Sequence, residues 1–94
     1  DESPYEFAIQ GFGGGFQLLG VERDGGDAVI RFSANPDTTN STYIYTLQYN
    51  DGMFSGWIGV GFQEVNGGGN HDFRHIGGWT TAAGLWRIVE TPIP

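Results

Sequence analysis

The chain contains no cysteine, which excludes disulfide staples, thiolate metal ligands and cysteine nucleophiles. It contains no lysine either. Its only basic residues are Arg23, Arg31, Arg74 and Arg87, set against eleven acids for a net charge of −7. Phosphate backbones are held by clustered positive charge, so this balance argues against a nucleic-acid partner. It equally disfavours an anionic membrane surface. No apolar run approaches the roughly 20 residues of a membrane-spanning helix, and no membrane span is expected. Asp1-Glu2-Ser3-Pro4 has neither the basic nor the apolar region of a signal peptide. With no initiating Met, the chain reads as the processed form of an exported protein.

Glycine and aromatic residues are abundant instead: 17 Gly, seven Phe, four Tyr and three Trp in 94 residues. That length supports one core, so residues 1–94 are expected to form a single β domain. Tyr5, Phe7 and Ile9 alternate with polar or small neighbours, the period of a strand buried on one face. Residues 11–15 follow as a Gly-rich hinge, making residues 1–15 a candidate N-terminal strand arm. A strand from Phe16 to Arg23 turns at Asp24-Gly25-Gly26-Asp27 into a return strand, Ala28 to Ser33. There Ala28, Ile30 and Phe32 share one face. In the run Thr42 to Tyr49, the face is Tyr43, Tyr45, Leu47 and Tyr49. Met53 to Gln63 places Ile58, Val60 and Phe62 opposite Trp57, Gly59 and Gly61. Leu85 to Glu90 sets Trp86, Ile88 and Glu90 opposite Leu85, Arg87 and Val89. Residues 91–94 carry two prolines and read as the start of a linker. About six strands and no helical stripe imply an all-β fold, a small antiparallel sandwich or partly open barrel. Phe7, Phe32, Phe62 and one or two Trp are expected in its core.

The stretch 65–78 is the hardest to assign, and it holds both histidines. As a helical turn capped by Asn70 and ended by Gly77, it would bring His71 and His75 together as ligands for a transition metal, with Asp72 beside them. As a strand, it would hold the two rings about 13 Å apart, too far to share an ion. Asn66, Asn70 and Asp72 supply oxygen ligands suited to Ca²⁺ without the EF-hand spacing, and Asp24 and Asp27 read as turn residues. No cofactor is required by any motif. The glycines at 11–15 lack the third glycine of a dinucleotide fingerprint, and Ser55 lacks the glycine that precedes a hydrolase nucleophile. No catalytic residue is assigned, and the chain is read as non-catalytic.

Aromatic residues offer the alternative of a carbohydrate-binding module: Trp57, Trp79, Trp86 and Tyr45 could stack on sugar faces. Their competing role is core packing. Asn40-Ser41-Thr42 is a glycosylation sequon in an expected loop. The assembly residues are Tyr5, Phe7 and Ile9, because strand addition to a sheet edge needs only main-chain hydrogen bonds.

Trp57-Ile58-Gly59-Val60-Gly61-Phe62, preceded by a Tyr-rich strand, resembles the Gly-Trp-x-x-x-Gly-Phe core of DOMON domains. That resemblance implies a β-sandwich that binds haem or sugars. The Gly-rich, Lys-free, Cys-free body ending in Val89-Glu90-Thr91-Pro92-Ile93-Pro94 resembles exported bacterial PEP-CTERM proteins just before their sorting signal, which implies a secreted or cell-surface location. The resulting expectation is a surface or extracellular-matrix subunit that self-associates. Polysaccharide binding, and metal or haem binding, stand as alternatives.

Overall fold

The computed structural model describes residues 6–12, 15–36, 42–50, 56–79 and 83–93. They form seven strands: β1 (Glu6–Phe12), β2 (Gln17–Asp24), β3 (Asp27–Ala34), β4 (Thr42–Asn50), β5 (Ile58–Asn66), β6 (Gly69–His75) and β7 (Ala83–Ile93). Two open sheets result, a four-stranded one in the order β1-β7-β4-β5 and a three-stranded one in the order β2-β3-β6. Every pairing is antiparallel except β1 with β7, which is parallel. The fold is all-β, as the periodicity implies.

The inner faces of the two sheets make the core. Ala28, Ile30 and Phe32 on β3 are fully buried, as are Tyr45 and Leu47 on β4 and Trp86 and Ile88 on β7. Period-2 alternation is what delivers them to one side. Asp24 and Asp27 close the β2–β3 hairpin, and Gly25 at φ +64° takes the left-handed conformation that such a short turn needs.

Four local readings are decided or corrected. Of the two alternatives for the histidine stretch the strand holds, over residues 69–75, and it is the element beyond the six expected. Its alternation is legible only when the histidines count as inward residues. Phe73 is buried between the half-buried His71 and His75, while Asn70, Asp72 and Arg74 face out. Phe62 is not in the core. A register shift opposite Leu47 and Gln48 makes Val60 an extra residue on β5, so Phe62 lies beside Thr46 on the outer face, 66% exposed. For the same reason Gly59 and Gly61 fall on opposite faces, Gly59 beside Gln48 and Gly61 beside Leu47. Finally, residues 91–93 continue β7 along β4 and are no linker. Among the described residues the pairing of β1 stops at Val89, so Pro92 lies beyond it, near the end of the strand where proline is tolerated.

Candidate functional site

The aromatic residues proposed for sugar stacking divide by burial. Trp86 and Tyr45 are fully buried and present no face to a ligand. Both lie on inward positions of strands next to each other in the sheet, where large rings fill the sandwich. Trp79 is half-buried and stacks on Trp86 with centroids 6.2 Å apart. Trp57 is half-buried at the entrance to β5, and the Arg87 guanidinium lies 4.3 Å from its ring centroid. Arg87 also donates to the side-chain carbonyl of Gln48.

Tyr45 carries a polar handle into the core. Its hydroxyl donates to Glu90 at 2.7 Å and accepts from the Asn35 backbone N–H at 2.8 Å. Burial pushes its phenol well above the ordinary tyrosine range. The Asn35 bond opposes this and the Glu90 carboxylate adds to it. Tyr45 is therefore a neutral structural clasp between sheet and loop.

The histidines do not converge. As members of one strand they flank Phe73 on its inner face, each held by its own neighbours. The His71 ring packs on Phe32, and its Nε2 lies 3.2 Å from the Gly68 carbonyl. His75 packs edge-on against Tyr49, and its Nδ1 accepts the Trp86 indole N–H at 3.0 Å. Burial lowers the pKa of His75, with Asp27 opposing. Asp72 points to the other face of β6. Among the described residues no group of three or more His, Asp or Glu is arranged to hold a metal ion. Asp24 and Asp27 are engaged instead as turn residues: Arg74 bonds both, at 2.7 and 2.8 Å. Asp27 also accepts the Gly77 N–H, the main reason its carboxyl titrates below the usual range, with Arg74 second.

Of the assembly residues, Tyr5 lies outside the described residues, as do the side chains of Phe7 and Ile9. The glycosylation sequon at Asn40, the hinge glycines Gly13 and Gly14, and Met53 also lie outside them. The backbone of residues 6–12 is described. It runs parallel to β7 of its own chain, with Phe7 against Gly84 and Ile9 against Trp86. On the outer face of this four-stranded sheet two apolar side chains, Phe62 on β5 and Val89 on β7, stand on either side of Thr46 on β4.

The sequence reading missed a hollow at the β6 edge of the other sheet, bordered by Gln63 from β5. It has a volume of about 430 Å³ and is lined by Leu19, Arg31, Gln63, Asn70, His71 and Asp72. The signal that pointed to it is Gly20, a glycine inside a strand pattern, which marks a bulge. The pairing of β2 with β3 does shift register between Leu18 and Gly20. No family model matches the chain, and neither a curated protein nor a solved structure matches it.

Proposed function

We propose that this domain is a non-catalytic subunit of an exported surface or extracellular matrix, and that copies of it associate by exchanging β1. One observation carries the reading. β1 is the first strand and lies at the edge of its sheet, held in parallel register along β7, with a Gly-rich segment joining it to β2. That register is made of main-chain hydrogen bonds, so β1 of a second copy can occupy it as well as the chain's own. The apolar pair Phe62 and Val89 lies on the same sheet and supports a contact that excludes water once two copies meet. The absence of lysine and the charge of −7 suit a protein that works outside the cell and keeps clear of nucleic acid.

Because the chain has no cysteine, a cross-link experiment is clean. Ala8 and Leu85 are register partners between β1 and β7. Chains carrying Ala8→Cys alone and chains carrying Leu85→Cys alone are unfolded, mixed, refolded and oxidised. Exchange yields a disulfide-linked heterodimer in excess of either homodimer, and light scattering on the unmodified chain finds species larger than a monomer. A chain that stays strictly monomeric with concentration and forms no heterodimer overturns the reading.

A further inference from the structure

The hollow at the β6 edge is a better candidate for a ligand than any of the tryptophans. Arg31 on β3 and Asp72 on β6 are direct register partners. Opposite charges at that spacing ordinarily pair across a sheet. Here Arg31 turns the other way and bonds Glu22 on β2 at 2.9 Å. Asp72 is left facing the hollow, with Asn70 two residues along the same face of β6. Neither side chain has a hydrogen-bond partner among the described residues. On the β2 side the register partner of Arg31 is Gly20, which has no side chain, and nothing lies within 4 Å of where a Cβ would stand, so that flank of Arg31 is open. Leu19, pushed out at the register shift and 51% exposed, forms an apolar wall. Gln63 closes the far side by donating from its amide to the Asp72 backbone carbonyl over the β6 edge.

The chemistry of this lining is specific. Asp72 is an acceptor, Asn70 both donor and acceptor, and Arg31 keeps guanidinium N–H donors that Glu22 does not use. A hydroxyl group donates to a carboxylate while accepting from an amide or guanidinium. Vicinal hydroxyls, with a C–H face laid on Leu19, therefore satisfy the set. Charge narrows the choice further: Arg31 is offset by Glu22, Asp72 remains, and an anionic ligand is repelled. The volume is at the lower end of the roughly 300–1,000 Å³ usual for small-molecule sites. We infer that this hollow binds a neutral saccharide unit, with Asp72 and Asn70 holding its hydroxyls and Leu19 its apolar face. Its lining comes from β2, β3, β6 and β5, none of it from β1 or β7, so the site neither requires self-association nor is blocked by it.

The test is a titration of the ¹⁵N-labelled full chain, followed by NMR, with glucose, galactose, mannose, xylose and their β-linked disaccharides. Galacturonate serves as the anionic control and glucosamine as the cationic one. At least one neutral sugar is expected to give saturable shifts clustered at Leu19, Arg31, Asn70 and Asp72, with no response to galacturonate. Asp72→Ala should weaken that binding about tenfold or more. It should leave the Tm unchanged, since the carboxylate bonds to no other side chain among the described residues. Asn70→Ala provides a second, independent variant. Absence of saturable shifts with every neutral sugar overturns the inference. So do binding centred on Trp57, a response to glucosamine alone, or an affinity that Asp72→Ala and Asn70→Ala both leave intact.

Discussion

The indole N–H of Trp86 donates to Nδ1 of His75 across 3.0 Å. An indole can only donate, so this nitrogen must carry a lone pair and the ring must be neutral, with its proton on Nε2. His75 is held among Tyr49, Trp86 and Gly78, and the charged group that acts on it is Asp27, already bonded to Arg74. Burial therefore holds its pKa below that of an exposed histidine. In the unfolded chain His75 takes up a proton near pH ~6.5. The unfolded state consequently binds more protons below that value, and stability falls as pH drops from about 6.5 toward the lower folded-state pKa. Its slope there is at most about 1.4 kcal/mol per pH unit. Denaturant unfolding between pH 5 and 8 should record this loss. His75→Asn, whose side-chain carbonyl can accept from Trp86, should flatten it. Asp27 acts in a separate and more acidic window. Its lowered pKa stabilises the fold above the usual aspartate range, and that contribution is lost only below it.

Tyr45→Phe tests the clasp between sheet and loop. The substitution keeps the ring against Phe32 and Phe16 but leaves the Asn35 N–H and the Glu90 carboxylate without their shared partner. A cost of about 1–3 kcal/mol is expected in urea unfolding, with little change in the m-value.

Two neighbouring glycines should respond differently to alanine. Gly67 and Gly68 both hold positive φ, +91° and +84°. A Cβ at Gly67 meets open space, so Gly67→Ala carries backbone strain alone, about 1 kcal/mol. At Gly68 the new atom would also lie 3.0 Å from the Pro36 backbone. Gly68→Ala is therefore expected to be the more destabilising of the two in parallel thermal melts, and equal losses would contradict the packing described.

Phe62→Ser separates assembly from folding. The ring is 66% exposed and supports little of the core. Removing it should leave the Tm of the monomer nearly unchanged while shifting the association equilibrium toward monomer. Sedimentation velocity at several concentrations measures this directly.

Strand periodicity exposed most of the architecture. Alternation put Ala28, Ile30 and Phe32 on one face of β3 and Tyr45, Leu47 and Tyr49 on one face of β4, and the structure buries both rows. Alternation failed where its assumptions failed. In β6 the inward residues on either side of Phe73 are histidines, whose polarity disguises a core-facing position. In β5 a single extra residue, Val60, reversed the faces and put Phe62 outside. No local pattern distinguishes a regular strand from a bulged one when glycines stand at both flanks.

By itself, then, the sequence determined the all-β class, which residues of β3, β4 and β7 share a face, the turn at Asp24 to Asp27, and the charge that argues against polyanion partners. These follow from local backbone preference, a period of two and composition. Which aromatic rings face a ligand was decided only by the tertiary structure, because burial depends on what the opposite sheet supplies. Trp86 and Tyr45 are interior since two sheets close over them. The pairing of Arg31 with Glu22 in place of Asp72 was likewise decided in three dimensions. Glu22 and Arg31 face each other across the β2–β3 hairpin, whereas Asp72 reaches Arg31 only because β6, much further along the chain, pairs with the other side of β3.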